Sequence, residues 1–448
     1  MSITTFPHRR QVIRLIMICS LLCFAGVKAF AQTCTLQDAI HLALQNNKQL
    51  QNEKLNVTSA AYKIAEAKSA MLPHVDLVSQ YQYYLDLPEQ YMPASAFGGP
   101  EDQYAKRTMT MQQTMNYAVQ VNQVIRNREM TARIESAKLA MDASILQTGV
   151  TKENIVYNVT ATYYAIQVLQ DNLARLAENI ANLEQTVRIN EVLRKNELIP
   201  DNVHQRLLIN LENLQNEYEN QKLNLNKNMS LLKYLIDKPM SDSLIVVAFD
   251  YDSSFQDPAV SDVMLRPDLK LQQAQIKVAE HELVSIRAHY APVVNATFSS
   301  GFSSYNDQFA PYQQINHDWE GSSYISLNTK IPIFSGFQKK IQVSNQKVAI
   351  QRSFNTLALI RLNAEKEILD AHQNYNTHKA QFGHTKSSLD LAQKLFDTAQ
   401  QDYANGLITI TDLLNAQYDL TDARTNYSSA LLQYKLAELS LQKAYGLL

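Results

Sequence analysis

Glycine and proline are scarce in this chain, 10 and 12 of its 448 residues, and tryptophan occurs once. A globular protein of that length usually splits into domains joined by loops rich in both, so their shortage points to long uninterrupted elements, helices above all. An excess of charge of one sign is missing too. With 41 Lys and Arg against 43 Asp and Glu, 46% hydrophobic and 19% charged residues, disorder, collagen and a nucleic-acid-binding chain are excluded.

Long apolar runs are also lacking, save one short run near the start. Arg9, Arg10 and Arg14 precede Leu15 to Val27, and Ala29-Phe30-Ala31 follows. That order reads as a secretory signal peptide, residues 1–31, cleaved after Ala31. A helical run of that length covers only about 20 Å of a hydrocarbon core roughly 30 Å thick, too little for a membrane anchor. Cleavage removes Arg9, Arg10, Arg14 and Lys28 and moves the formal net charge from −2 to −6. Cysteine is rarer still afterwards: Cys19 and Cys23 leave with the leader, so Cys34 stands alone and no internal disulfide forms. Ala31-Gln32-Thr33 before it lacks a leucine and small-residue lipidation pattern, and Cys34 reads as a spare surface thiol. Beyond the leader no stretch approaches a transmembrane helix, so any membrane span has to be a β-barrel.

What is present is periodic. No proline occurs from Glu101 to Ile199, from Asp201 to Lys238, or after Pro332. Leu413, Ala416, Leu420, Ala423, Tyr427, Ala430, Tyr434, Ala437 and Leu441 alternate steps of three and four, one seam of a coiled coil. Leu207, Leu211, Leu214, Tyr218, Gln221, Leu225, Asn228 and Leu232 do the same. An internal duplication is visible: Leu50 to Val75 runs parallel to Leu269 to Val294, and Leu198-Ile199 to Leu407-Ile408.

After each proline of the duplicated segment the period becomes two. Val75, Leu77, Tyr81, Tyr83, Leu85 and Leu87 alternate with Asp76, Gln80, Gln82 and Asp86, with Val78 and Tyr84 out of phase; Val294, Ala296, Phe298 and Phe302 alternate with Asn295, Thr297, Ser299 and Ser303. Met109, Met111, Met115, Tyr117, Val119 and Val121 form a second strand in the first copy, and Ile325, Leu327, Ile331 and Ile333 in the other. Their length and weak alternation fit transmembrane strands, although a soluble hairpin has the same pattern. Each long window after a strand, Asn127 to Asn196 and Phe337 to Asn405, spans roughly 100 Å as a helix. Four strands cannot close a barrel, so such a chain has to oligomerise, and three copies give twelve strands.

The order expected is therefore a first repeat over 32–238, with a short helix, strands near 74–87 and 108–125, and long helices near 127–196 and 201–236. A linker over 239–267 follows. A second repeat over 268–448 has a short helix, strands near 293–305 and 323–334 and long helices near 337–404 and 410–446. The class is an α+β membrane protein: three copies with four strands per chain give a twelve-stranded transmembrane β-barrel and a helical bundle of matching symmetry.

The whole mature chain resembles the TolC-type outer-membrane efflux proteins. The likeness is carried by this order and by Ala404-Asn405-Gly406-Leu407-Ile408-Thr409-Ile410-Thr411-Asp412-Leu413-Leu414-Asn415-Ala416-Gln417, similar to the family's tip motif; Lys330-Ile331-Pro332-Ile333-Phe334-Ser335-Gly336 resembles its strand-to-helix element. The resemblance implies a homotrimer among outer-membrane lipid, a trimeric twelve-stranded transmembrane β-barrel continued by a long α-helical coiled-coil tunnel in the periplasm, with 239–267 as its equatorial linker. It also implies docking to a periplasmic adaptor protein and an inner-membrane pump of RND or ABC type. The tips Glu197, Leu198, Pro200, Gly406, Leu407 and Thr409 are then the docking turns. Independently, Asn405-Gly406 is a helix stop, Thr409 or Thr411 can cap the next helix, and Pro200 suits a helix's first turn. The family's ring of aspartates falls on Asp412 and Asn415; the second position departs from it, leaving three charges rather than six in a trimer. Asp412 as a first-turn residue favourable to the helix dipole explains it equally well.

No active site emerges. His372, His378 and His384 step by six and cannot share a metal; His281 and His289 are eight apart and read as solvated; no nucleotide loop, nucleophile elbow or CxxC occurs. No catalytic, cofactor-binding or metal residues, no cofactor and no nucleic-acid partner are expected. Two functions stay open: a passive exit duct of a tripartite efflux or type I secretion system, or a structural coiled-coil envelope protein without a pore.

Overall fold

The computed structural model describes residues 33–248, 266–307 and 319–448. The leader, most of the equatorial linker and the loop 308–318 lie outside the described residues. Contacts divide the described residues into two units, 33–52, 149–248, 266 and 363–448 in one and 53–148, 267–307 and 319–362 in the other.

The second unit carries a four-stranded antiparallel sheet in the order β2-β5-β7-β8: β2 is His74–Tyr83, β5 Gln113–Arg126, β7 Val293–Asn306 and β8 Glu320–Lys330. A small hairpin, β3 (Glu89–Pro93) with β4 (Tyr104–Thr108), stands between β2 and β5. Three strands are shorter than the alternation predicts. Leu85 and Leu87, Met109 and Met111, and Ile331 and Ile333 keep the phase but lie outside β2, β5 and β8. Pro332, which has no ladder N–H to give, follows β8 within two residues. Gly301 sits where a Cβ would strike Tyr117 O and Ala118 of the neighbouring strand, so β5 and β7 approach there only because it has no side chain.

The first unit is helical. A short parallel pair, β1 (Thr33–Cys34) with β6 (Ile245–Val246), leads into α1 (Leu36–Asn46), where Thr35 and Asp38 form a capping box. Asn47 then breaks the expected single short helix and anchors α2 (Lys48–Ser69) by donating to Leu235 O at 2.9 Å. Cys34, read as a surface thiol, is instead 4% exposed in a cluster with Ala39, Ala43, Val159, Tyr163, Ile166 and Leu232, and burial raises its pKa. Four longer helices follow: α4 (Asp201–Leu235) and α7 (Ile410–Ala444) belong to this unit, α3 (Arg128–Lys195) and α6 (Gln338–Ala404) are shared with the second, and α5 (Pro267–Ala288), preceding β7, belongs to the second. On α7 every predicted seam residue is buried except Ala423, which is half-buried. Of the seam residues predicted on α4 only Leu207, Leu214 and Leu232 are buried; the polar knobs Gln221 and Asn228 stay half-exposed.

The α7 seam also buries a charge pair. Lys435 and Glu438 are 4% and 8% exposed, 3.9 Å apart, with the ammonium over the Tyr164 ring of α3. Burial dominates their mutual attraction, pushing Glu438 up to about 7 and Lys435 down to about 8. A raised carboxyl means the folded state holds a proton that the unfolded state releases, so this contribution falls as pH rises from about 4.5 to about 7. A lowered amine reverses the slope from about 8 to about 10.5. Thermal melts should therefore show Glu438→Gln raising stability at pH 7.5 and flattening the acid-side slope, whereas Glu282→Gln, on an exposed face, leaves both unchanged.

Candidate channel wall and tip turns

The register sorts the strand side chains by chemistry. Leu77 faces Val119, Val75 faces Val121, Val121 faces Phe298, Phe298 faces Ile325, and Ala296 faces Leu327. Partners across an antiparallel ladder share a face, so these residues form one apolar surface. It is bare in this chain: Leu77 is 74% and Ile325 80% exposed. At its loop end Tyr81, Tyr83, Tyr117, Phe302 and the lone Trp319 gather, Tyr117 and Trp319 with ring centroids 5.5 Å apart. The opposite face carries Asp76, Gln80, Gln82, Asn116, Gln120, Asn122, Thr297, Ser299, Ser303, Ser322 and Ser326, with Thr297 Oγ1 donating to Asn122 at 2.9 Å. Val78, out of phase in sequence, joins that polar face beside Ala118. β2 pairs only with β5 and β8 only with β7, so both outer edges of the sheet are unpaired.

In the first unit, the two turns α3–α4 and α6–α7 are brought together, because Val203 packs with Ile408, Ile410 and Leu413. Both helices end by the same device. Leu198 N donates to Leu193 O and Glu197 N to Arg194 O, both at 2.9 Å; Leu407 N donates to Asp402 O at 2.8 Å and Gly406 N to Tyr403 O at 3.0 Å. This Schellman closure needs a left-handed residue, supplied by Gly406 (φ 73°) and, in the first turn, by Glu197 (φ 58°). Sequence reasoning missed the role of Glu197; its alignment as Asn196-Glu197-Leu198 with Asn405-Gly406-Leu407 was the available signal. Leu198 and Leu407, the residues just past the closure, are 69% and 72% exposed.

The following helices start differently. Pro200 is the N-cap residue itself, φ −66° and ψ 148°, and not in the first turn as predicted; it has no side chain with which to cap. Thr409, not Thr411, caps α7, in a box where Asp412 accepts from Thr409 Oγ1 at 2.6 Å and from its amide at 3.0 Å. Those two bonds hold the Asp412 carboxyl below its ordinary range. Asp412 and Asn415 are both exposed, one turn apart. The first turn is tied by charge: Glu191, held at about 2 chiefly by Arg194, also meets Lys195 and His204, and Arg194 reaches Asp201. Further along, Arg424 of α7, its pKa lowered by burial, donates to Asn179 of α3 at 2.7 Å and Gln393 of α6 at 2.8 Å, a tie that no sequence pattern announces.

The histidines read as solvated have partners: His281 meets Ser136 at 3.1 Å and His289 meets Glu129 at 3.3 Å. Among the described residues no group of three or more His, Cys, Asp or Glu is placed to hold a metal.

The family model for outer membrane efflux proteins matches residues 39–194 and 264–447. The chain belongs to that family. It is similar to the outer membrane protein TolC of Salmonella enteritidis, 22% identical over 455 residues, spanning 98% of this chain and 87% of the relative. Over 198 residues it is 24% identical to the solvent efflux pump outer membrane protein SrpC of Pseudomonas putida, covering 42% and 39% of the two. Its fold matches the CmeC outer membrane channel of Campylobacter jejuni with a TM-score of 0.75 at 18% identity, over 92% and 85% of the chains. It also matches the outer membrane protein VceC of Vibrio cholerae with a TM-score of 0.73 at 15% identity, over 92% and 96%. This efflux protein is thus an outer-membrane protein.

Gly406 has open space around its missing Cβ, so a substitution there is strained by backbone angle alone. Gly406→Asn should keep the turn, since Asn tolerates left-handed geometry, whereas Gly406→Val should lower stability by roughly 1–3 kcal/mol in denaturant titration.

Proposed function

We propose that the protein is the passive exit duct of a tripartite efflux or type I secretion system. The observation that carries this reading is the register of the four strands, which sets an apolar face against a polar one in a sheet with two unpaired edges. In lipid those edges must be paired, and three copies would supply twelve strands, a number that closes a barrel. The polar face then lines a wet lumen, and the long helices continue it as a periplasmic tunnel. A scaffold without a pore has no use for a polar inner face. The near-equal turns of the two halves support an internal tandem repeat, 32–238 and 268–448, around the linker.

In this reading the protein has no catalytic group; the inner-membrane pump, of RND or ABC type, supplies the energy. Leu198 and Leu407 are the exposed apolar points at which a periplasmic adaptor's helical hairpin docks, with Glu197, Pro200, Gly406 and Thr409 shaping the turns. Asp412 and Asn415 lie at the aperture, where the capping box competes with any cation for Asp412.

Export assays in a strain lacking the chromosomal copy test the duct. Leu407→Asp should abolish export while assembly persists, because a charge is set against an apolar partner surface. Normal export by that variant would remove the docking role. Insertion assays test the wall: Leu77→Arg should impair insertion by about 2–4 kcal/mol at mid-bilayer, and Gln80→Arg should be tolerated. Equal defects on both faces would contradict the lumen assignment.

A further inference from the structure

A cavity of about 670 Å³ lies between the start of α3 and the end of α5, lined by Arg128, Thr131, Ala132, Glu135, His281, Val284, Arg287, Ala288, Tyr290 and Ala291. Its charge is unbalanced. Glu135 is taken by Lys138 at 2.9 Å, and nearby Glu129 by Arg133 and His289. Neither Arg128 nor Arg287 has a carboxylate partner among the described residues. Two uncompensated guanidiniums flanked by Ala132, Val284 and Ala288 suit an anion with an apolar tail.

Position gives the depth. Arg128 lies two residues past the end of β5 at Arg126, and Arg287, in the last turn of α5, lies six residues before the start of β7 at Val293. In the barrel reading both sit just outside the hydrocarbon core, in the headgroup layer, where the exposed Tyr290, Phe334 and Phe337 of the strand–helix junctions suit an interface. The sheet order keeps the cavity away from the free edges, because α3 and α5 join the two central strands, β5 and β7.

Chirality gives the side. Tyr84 N donates to Gln112 O, so the even residues of β2, which form the polar face, aim their peptide groups at β5. For L-residues this places β5 to the left of β2 when the apolar face is viewed with the helical end down. α5 runs up into β7 with Gln272 and Ala279 turned to α6 and His281 turned to α3. A right-handed helix in that order shows Val284 and Arg287 on the side of the apolar strand face, and Glu282 and His289 on the lumen side.

We propose that this cavity binds the phosphodiester headgroup of an anionic glycerophospholipid from the adjoining leaflet, with Arg128 and Arg287 gripping the phosphate and the acyl chains running along the apolar strand face. The assignment rests on the barrel reading above. The full-length protein, reconstituted into vesicles of dioleoylphosphatidylglycerol or dioleoylphosphatidylcholine and released in mild detergent, is examined by native mass spectrometry. Phosphatidylglycerol should stay on the wild type and phosphatidylcholine should not. The R128Q/R287Q double variant should lose phosphatidylglycerol about tenfold or more, and R128K/R287K should retain part of it. Excess inorganic phosphate should leave the lipid in place; its displacement would overturn the lipid as the source of the phosphate. Equal retention of both lipids, or undiminished retention by the double Gln variant, overturns the site while the barrel stands. A wild-type chain that enters neither vesicle overturns the barrel reading, and the site with it.

Discussion

Backbone hydrogen bonding in a medium without water is the constraint on which the structure depends. Every N–H and C=O of a segment crossing lipid has to be paired within protein, and the four-stranded sheet leaves one edge of β2 and one of β8 open. In the barrel proposed above, the apolar face set against lipid, the polar face behind it and the need for further copies of the chain all descend from that requirement. The long helices answer a different need: they satisfy their own backbone and can extend any distance beyond the membrane, limited only by the packing of their seams.

That division explains where side chains carry specificity. Along α7 the seam alternates Leu, Ala and Tyr, so large and small knobs interlock, and the buried Lys435–Glu438 pair sits among them at a cost that burial imposes on both charges. At the turns the backbone does the shaping. Gly406 and Glu197 hold left-handed angles and leave Leu407 and Leu198 exposed. The same closure recurs at Asp237 and Gly446, again an acidic residue in the first half and glycine in the second.

Much of this was legible in sequence because its signals are local. Proline-free windows and three-four spacing marked the long helices, period two marked the strands, and Asn405-Gly406 and Thr409 marked the second turn. What escaped depends on contacts between distant segments. Cys34 looks like a surface residue until β1 pairs with β6 and Tyr163 donates to its carbonyl. Met109 and Met111 keep strand periodicity, yet β5 begins only at Gln113, beyond the β3–β4 hairpin. Glu197 and Arg424 act through backbone angle and burial, which composition does not display.

The central claim is that one chain supplies a third of a closed wall. Native mass spectrometry of the protein extracted from the outer membrane, with lipid stripped by rising collision energy, measures the number of chains directly. Three chains per particle, collapsing to unfolded monomers without a stable intermediate, is the result predicted. A folded single chain that persists in membrane extracts, or a particle of any other number, contradicts it.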